Sequence, residues 1–184
     1  MTQKTALVPI ADGSEDIESV TIIDVLRRAG VDVTVASVMP EQRLQIIAAR
    51  GTRIVADAHI DQCRDKTFDL IALPGGMPGA NHLRDSAVLI EMLRQQKASG
   101  RCYSAICASP AVVFATHNLE TDIRTTCHPG FTEQLHHFAN QRTVVDGNCV
   151  TSQGPGTALE FSLTLVEILL GKEKRAQVGA PMVL

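Results

Sequence analysis

Cys102-Tyr103-Ser104-Ala105-Ile106-Cys107-Ala108-Ser109-Pro110 is the stretch that decides the fold. Cys102 to Ile106 reads as a strand, and the apolar stretch after Pro110 reads as a short helix. A strand that enters and a helix that leaves a turn of small residues form one unit of an α/β fold. The same arrangement is what a nucleophile elbow requires, because the turn is sharp, the nucleophile is strained, and bulky neighbours would clash. The N-terminus of the following helix offers unpaired N–H groups and a positive potential, which favour thiolate. Taken locally, Cys107 is either such a nucleophile or an inert buried cysteine, and the segment alone leaves both open.

The pattern repeats on both sides. Upstream, Thr5 to Ile10 is an apolar run bounded by Ala-Asp-Gly, and a helix follows from about Glu15. That helix has acids in its first turn, Arg27-Arg28 in its last, and Gly30 just past its end. Asp32 to Val38 alternates as a strand. Leu44 to Ala48 and Thr52 to Val55 read as a small hairpin or as added edge strands. Asp69 to Leu73 is a further central strand ending in Pro74-Gly75-Gly76, and a helix spans about Ser86 to Ser99. Downstream, Cys149 to Ser152 reads as a short late strand and Gly156 to Leu170 as an apolar helix stopped by Gly171. Strands separated by helices predict a mainly parallel sheet with helices on both faces, in one domain over residues 1–184. Ligands of such folds sit beyond the carboxyl ends of the strands, which directs attention to Ala11–Glu18, Pro74–Ala80 and Ile106–Pro110.

Composition narrows the function classes. The 184 residues carry Lys+Arg 17 against Asp+Glu 20, a net charge of -3, so no basic excess is available for a phosphate backbone and direct nucleic-acid binding is disfavoured. Aromatic residues make up 3%, too few for base-stacking platforms. The densest basic stretch, Lys172-Glu173-Lys174-Arg175, carries its own acid and reads as a solvated helix face. Cys63, Cys102, Cys107, Cys127 and Cys149 are odd in number and without CxxC spacing, which argues against a disulfide framework and a zinc knuckle. No secretory signal and no membrane-spanning apolar run are recognised, so the expected location is the cytoplasm, with no membrane partner.

Other motifs are modest one by one. Pro74-Gly75-Gly76-Met77-Pro78-Gly79 sits at a strand end, where it is either a tight turn or half an oxyanion hole, and it lacks the spacing of a nucleotide-binding loop. Glu15 and Glu18 lie a helical turn apart and are either surface acids favoured by the helix dipole or a pair with one member turned in toward the thiol. His128 is a candidate base. His59 with Cys63, and His136-His137, form no metal-ligand set, so no metal and no cofactor is expected.

Ala6-Leu7-Val8, Gly13-Ser14-Glu15-Asp16-Ile17-Glu18, Asp24-Val25-Leu26-Arg27-Arg28-Ala29-Gly30, Leu73-Pro74-Gly75-Gly76, Ala105-Ile106-Cys107-Ala108, Thr151-Ser152-Gln153-Gly154-Pro155-Gly156-Thr157 and Gly171-Lys172-Glu173 stand in an order and spacing that resemble the ThiJ/PfpI superfamily. Within it they resemble the branch of the Parkinson-disease protein deglycase (DJ-one) and the bacterial YajL-like proteins. The resemblance covers essentially the whole chain. It implies a flavodoxin-like three-layer α/β sandwich, a homodimer and a nucleophile at Cys107. It further implies that Glu18 is hydrogen-bonded to the sulfur, that His128 is the nearby histidine, and that Gly76 and Ala108 supply the oxyanion-hole amides. Glu15, Arg28 and Arg50 would line the substrate pocket. Two departures stand out: Ser109 puts a hydroxyl where relatives usually have Gly or Ala, and Cys127 before His128 offers a second, potentially resolving thiol. The protease-like branch usually has a histidine after the nucleophile, here Ala108, and the glutamine amidotransferases need a later His-x-Glu, which is absent.

The activity implied is a cofactor-independent conversion of methylglyoxal or glyoxal to hydroxy acids, or repair of the glycated adducts these dicarbonyls form. The alternative is a non-enzymatic oxidative-stress sensor or redox-regulated chaperone that works through oxidation of Cys107. Thiazole biosynthesis, suggested by the family's historical name, has no supporting motif.

Overall fold

A computed structural model describes residues 3–184. Its centre is a seven-stranded sheet in the order β5-β2-β1-β6-β7-β9-β8, built from β1 (Thr5–Ile10), β2 (Asp32–Ser37), β5 (Ala58–His59), β6 (Leu70–Leu73), β7 (Cys102–Ile106), β8 (Thr143–Asp146) and β9 (Cys149–Ser152). All neighbours are parallel except β8 against β9. The two short strands β3 (Gln45–Ile47) and β4 (Arg53–Val55) form a separate antiparallel hairpin.

Alternation along the central strands divides the core. Ala6, Val8 and Ile10 of β1, with Leu70 and Ala72 of β6, pack on one side against α1 (Asp16–Arg28) and α4 (Ala158–Leu170) through Ile22, Val25, Leu26, Phe161, Leu165 and Val166. Leu7, Ile71, Leu73, Tyr103 and Ala105 face the other side, where α3 (Ala87–Ala98) supplies Leu89, Ile90 and Leu93. A period of two across a sheet buried on both faces produces this three-layer, flavodoxin-like sandwich. The chain turns outward in both directions from β1 and β6, so the crevice for a ligand opens at their carboxyl ends.

Several elements differ from expectation at their edges for local reasons. α1 begins at Asp16 because Glu15 is its N-cap, accepting from the Glu18 N–H at 2.8 Å. Ser86 likewise caps α3. The hairpin stands apart from the main sheet, so β3 and β4 are not its edge strands. The helix after Pro110 is a single π-helical stretch, Pro110–Ala115. The sequence reading had no element at α2 (Gly79–Asp85), β5 or β8. The solvated face over Lys172–Arg175 belongs to α5 (Lys172–Gly179). No helix among the described residues is long and apolar enough to cross a membrane.

Candidate active site

Three loops converge at the carboxyl ends of the strands. β7 delivers Cys107 in a left-handed conformation, φ 64°, which a residue with a side chain rarely adopts. The neighbouring loop, Pro74–Gly76, lies so close that a Cβ on Gly75 would sit 2.6 Å from the Cys107 Cβ and 2.9 Å from the Ala108 nitrogen. Gly75 therefore has to be a glycine for steric reasons, and Gly76 is itself left-handed at φ 87°. Together these two loops bring the N–H groups of Gly76 and Ala108 near enough to the Cys107 sulfur to favour its thiolate.

The third loop leads into α1, whose first turn carries Glu18, which is fully buried. Its Oε2 accepts from the Gly75 N–H at 2.8 Å, while Oε1 has no hydrogen-bond partner, and the carboxyl interacts with the Cys107 thiol. Burial first, then the charge of Glu15, pushes the Glu18 carboxyl up to about 7, against the opposing pull of the Gly75 N–H and the thiol. Burial and the Glu18 charge push the Cys107 thiol up to about 12, while the two amides pull it down. The expectation that a helix N-terminus would dominate and lower this thiol does not hold, because desolvation outweighs the two amides. Glu18 and Cys107 form one acid pair. It gives up its first proton near neutrality, and a carboxylic acid facing a thiolate is one of the two ways of arranging the charge that remains.

His128 reaches this cluster through its backbone, whose N–H donates to the Cys107 carbonyl at 2.8 Å. Its exposed ring accepts from the Gly130 N–H at Nδ1, 3.1 Å, so the neutral ring carries its proton on Nε2. Glu15 lies beside Glu18, spent partly on capping α1. Arg50 is exposed at the hairpin turn, its N–H bound to Asp16 at 2.7 Å, which places it at the rim of the site. Arg28 is elsewhere. It ends α1, about 20 Å of helix from Glu15, pairs with Asp24 at 2.6 Å, and borders a cleft with Lys174 and Gln177.

Two neighbouring groups have partners of their own. The Ser109 hydroxyl donates to the Pro74 carbonyl at 2.6 Å. Cys127 is buried against Ala111 and Leu135, with its thiol directed to the His128 carbonyl at 3.4 Å. All five cysteines are free. The sequence reading missed Asp12 and Asp16, which clamp the hairpin onto the site: Asp12 binds Arg43 and the Ile47 N–H, and Asp16 binds the Arg50 and Thr52 N–H groups. Nothing in their spacing distinguished them from other acids near a helix start. Among the described residues no group of three or more His, Cys, Asp or Glu side chains is placed to hold a metal ion.

Residues 4–168 match the DJ-1/PfpI family. The chain is 47% identical to Protein DJ-1 homolog B of Arabidopsis thaliana over 98% of its own length. It spans 42% of that relative, so it is less than half as long. It is 38% identical to the glutathione-independent glyoxalase DJR-1.2 of Caenorhabditis elegans, covering 99% of this chain and 97% of the relative. The structure of oxidized DJ-1 from Toxoplasma gondii superposes with a TM-score of 0.95 at 44% identity, covering 98% of each chain.

Two measurements test this geometry. Of the five cysteines, Cys107 is the one whose thiolate is favoured by neighbouring backbone N–H groups, so it should be alkylated fastest at neutral pH. Peptide mapping that finds Cys63 or Cys149 labelled first contradicts the assignment. The second concerns stability. In the fold Glu18 holds its proton from the ordinary 4.5 up to about 7, a range in which the unfolded chain has already ionised. Its contribution is complete below the unfolded value and is lost as pH rises through the folded one. Glu18→Gln cannot ionise, so it should gain about 3 kcal/mol on the wild type between pH 4.5 and 7.5. Urea unfolding across that window reads the gain, and parallel curves for the two proteins would refute it.

Proposed function

The chain belongs to the DJ-1/PfpI family, and we propose that it is a cofactor-independent cysteine enzyme of reactive-dicarbonyl defence. Family membership makes glyoxalase-type chemistry a property of at least one relative by name. The observation that carries the reading to this chain is the acid pair itself, a cysteine on a strained elbow facing a buried carboxyl whose second oxygen is unspoken for.

In the proposed cycle the Cys107 thiolate attacks the aldehyde carbon of methylglyoxal, forming a C–S bond and a hemithioacetal. The developing alkoxide lies between the Gly76 and Ala108 N–H groups and takes the proton that Glu18 held. Glu18, now a carboxylate, removes the hydrogen on the former aldehyde carbon. The resulting enediol is reprotonated at the neighbouring carbon, with His128 Nε2 relaying protons to solvent. Water then cleaves the thioester and releases lactate and the thiol, so the sum is methylglyoxal plus water to lactate. Applied to hemithioacetals and aminocarbinols on proteins, the same steps constitute deglycase-like repair. Glu15 and Arg50 would border the substrate, and Arg28 could reach it only from a second copy of the chain.

We assign the assembly as a homodimer. Its support is an apolar face where Ile17 and Val20 of α1 and Ile47 and Val55 of the hairpin are exposed by 56%, 49%, 49% and 65%. Val20 and Val55 border one cleft with Ile23 and Ile54 between them. Five free thiols suit a reducing compartment, and we place the protein in the cytoplasm.

A second reading is favoured by one feature: a protonated Glu18 could donate to an oxygen on the Cys107 sulfur and so stabilise a sulfinate. Cys107 would then be an oxidation sensor or the switch of a chaperone. Turnover separates the readings. Purified protein should convert methylglyoxal to lactate, Cys107→Ser should abolish the conversion, and Glu18→Gln should slow it about 100-fold or more. A wild-type protein without turnover that gains two oxygens at Cys107 under mild peroxide would support the sensor instead. For the assembly, Val20→Arg should convert a dimer to a monomer in light scattering, and a wild-type monomer would refute the dimer.

A further inference from the structure

The two N–H groups that favour the Cys107 thiolate belong to different segments, Gly76 in the loop after β6 and Ala108 in the turn after β7. Their separation is not set by the sheet. The β6–β7 register ends at Leu73 beside Ala105. Beyond that point no backbone hydrogen bond joins residues 74–76 to residues 107–109 among the described residues. The loop is fastened instead toward α1, through Gly75 N–H to Glu18 at 2.8 Å and Glu15 N–H to the Gly75 carbonyl at 2.9 Å. Those bonds hold the loop to the first helix and do not reach the elbow, against which the loop backbone is only packed.

We propose that the Ser109 hydroxyl is the positioning group that sets this separation. Ser109 is fully buried, and its Oγ donates to the Pro74 carbonyl at 2.6 Å, a short bond across the gap between the two segments. It lies one residue after Ala108 and two residues from Gly76 on the other side, so it bridges the backbones that carry both donors. Gly75 adds no side chain to keep the segments apart or in register, since any Cβ there would collide with Cys107. Hydrogen bonds weaken steeply with misalignment, so a small slip of the loop takes the Gly76 N–H off the sulfur and off any alkoxide formed there. Removing the hydroxyl also leaves a buried carbonyl without its donor, which gives the loop a reason to move. The inference rests on the reading of Cys107 as the reactive group. It adds to that reading a residue that touches neither sulfur nor substrate.

Ser104 is a matched control. It is also fully buried, and its Oγ also donates from β7 to a β6 carbonyl, that of Ile71 at 3.3 Å, but inside the ladder where the register is already fixed. The test is the rate at which iodoacetamide alkylates Cys107 at pH 8, mapped by peptide mass spectrometry, in the wild type, Ser109→Ala and Ser104→Ala. Unfolding midpoints are recorded for all three. Ser109→Ala should slow alkylation about fivefold, whereas Ser104→Ala should stay within about twofold of the wild type at a similar change in stability. With methylglyoxal, Ser109→Ala should lower kcat about tenfold and leave KM nearly unchanged, because the donors matter most to the alkoxide. Wild-type alkylation in Ser109→Ala, or equal slowing in Ser104→Ala, overturns the proposal. A wild-type protein that does not turn over methylglyoxal refutes the enzymatic reading, and the alkylation comparison still decides the role of Ser109.

Discussion

The Glu18 carboxyl is buried completely and accepts from the Gly75 N–H at 2.8 Å, and the geometry of the strand ends follows from that contact. A carboxyl removed from water and given one donor is better satisfied by keeping its proton than by ionising. The proton then needs an acceptor, and the Cys107 sulfur is the titratable group that interacts with this carboxyl besides Glu15. Gly75 has to be a glycine so that the loop carrying this donor can lie against the elbow. Cys107 has to sit at φ 64° so that its sulfur lies on the same side. Helix α1 starts where it does because Glu15 caps it and turns Glu18 inward.

The site is therefore an assembly of loop contacts mounted on a rigid sheet. β1, β6 and β7 are buried on both faces and hold the three loops at fixed spacing, while the loops make their own connections: Asp12 and Asp16 to the hairpin, Ser109 to Pro74, and His128 to the Cys107 carbonyl. Each connection joins segments distant in sequence, so the strain at Cys107 is supported from several sides. In the proposed reaction, two amides, a carboxylic acid and a sulfur placed together would act on a carbonyl by stabilising an alkoxide and moving a proton.

Much of this was legible in the sequence, and what was not has a physical explanation. The alternation of β1, β6 and β7 with amphipathic helices declares a parallel sheet, and the small residues after Cys107 mark a strand-to-helix turn without deciding between a nucleophile and a buried inert cysteine. α2 was missed because Gly79-Ala80-Asn81 is a poor helix start and Pro78 precedes it. β8 was missed because four residues beside a turn give too short a period to read. The direction of the Cys107 shift was misread because a helix N-terminus is visible in a sequence while the depth of burial is not. Arg28 shows the same limit: it matches a motif residue, yet one chain carries it to the far end of α1. Ser109 was noticed as a departure, but its partner, 35 residues away, is known only from the fold.

The central claim is that Glu18 and Cys107 share one proton near neutral pH. Carbon-detected NMR of protein labelled at the glutamate carboxyls follows Glu18 directly through a pH titration. The account predicts a midpoint near 7, shifted when Cys107 is replaced by Ala. A Glu18 carboxyl that titrates at the ordinary value of 4.5, or that is indifferent to the loss of the thiol, would contradict it.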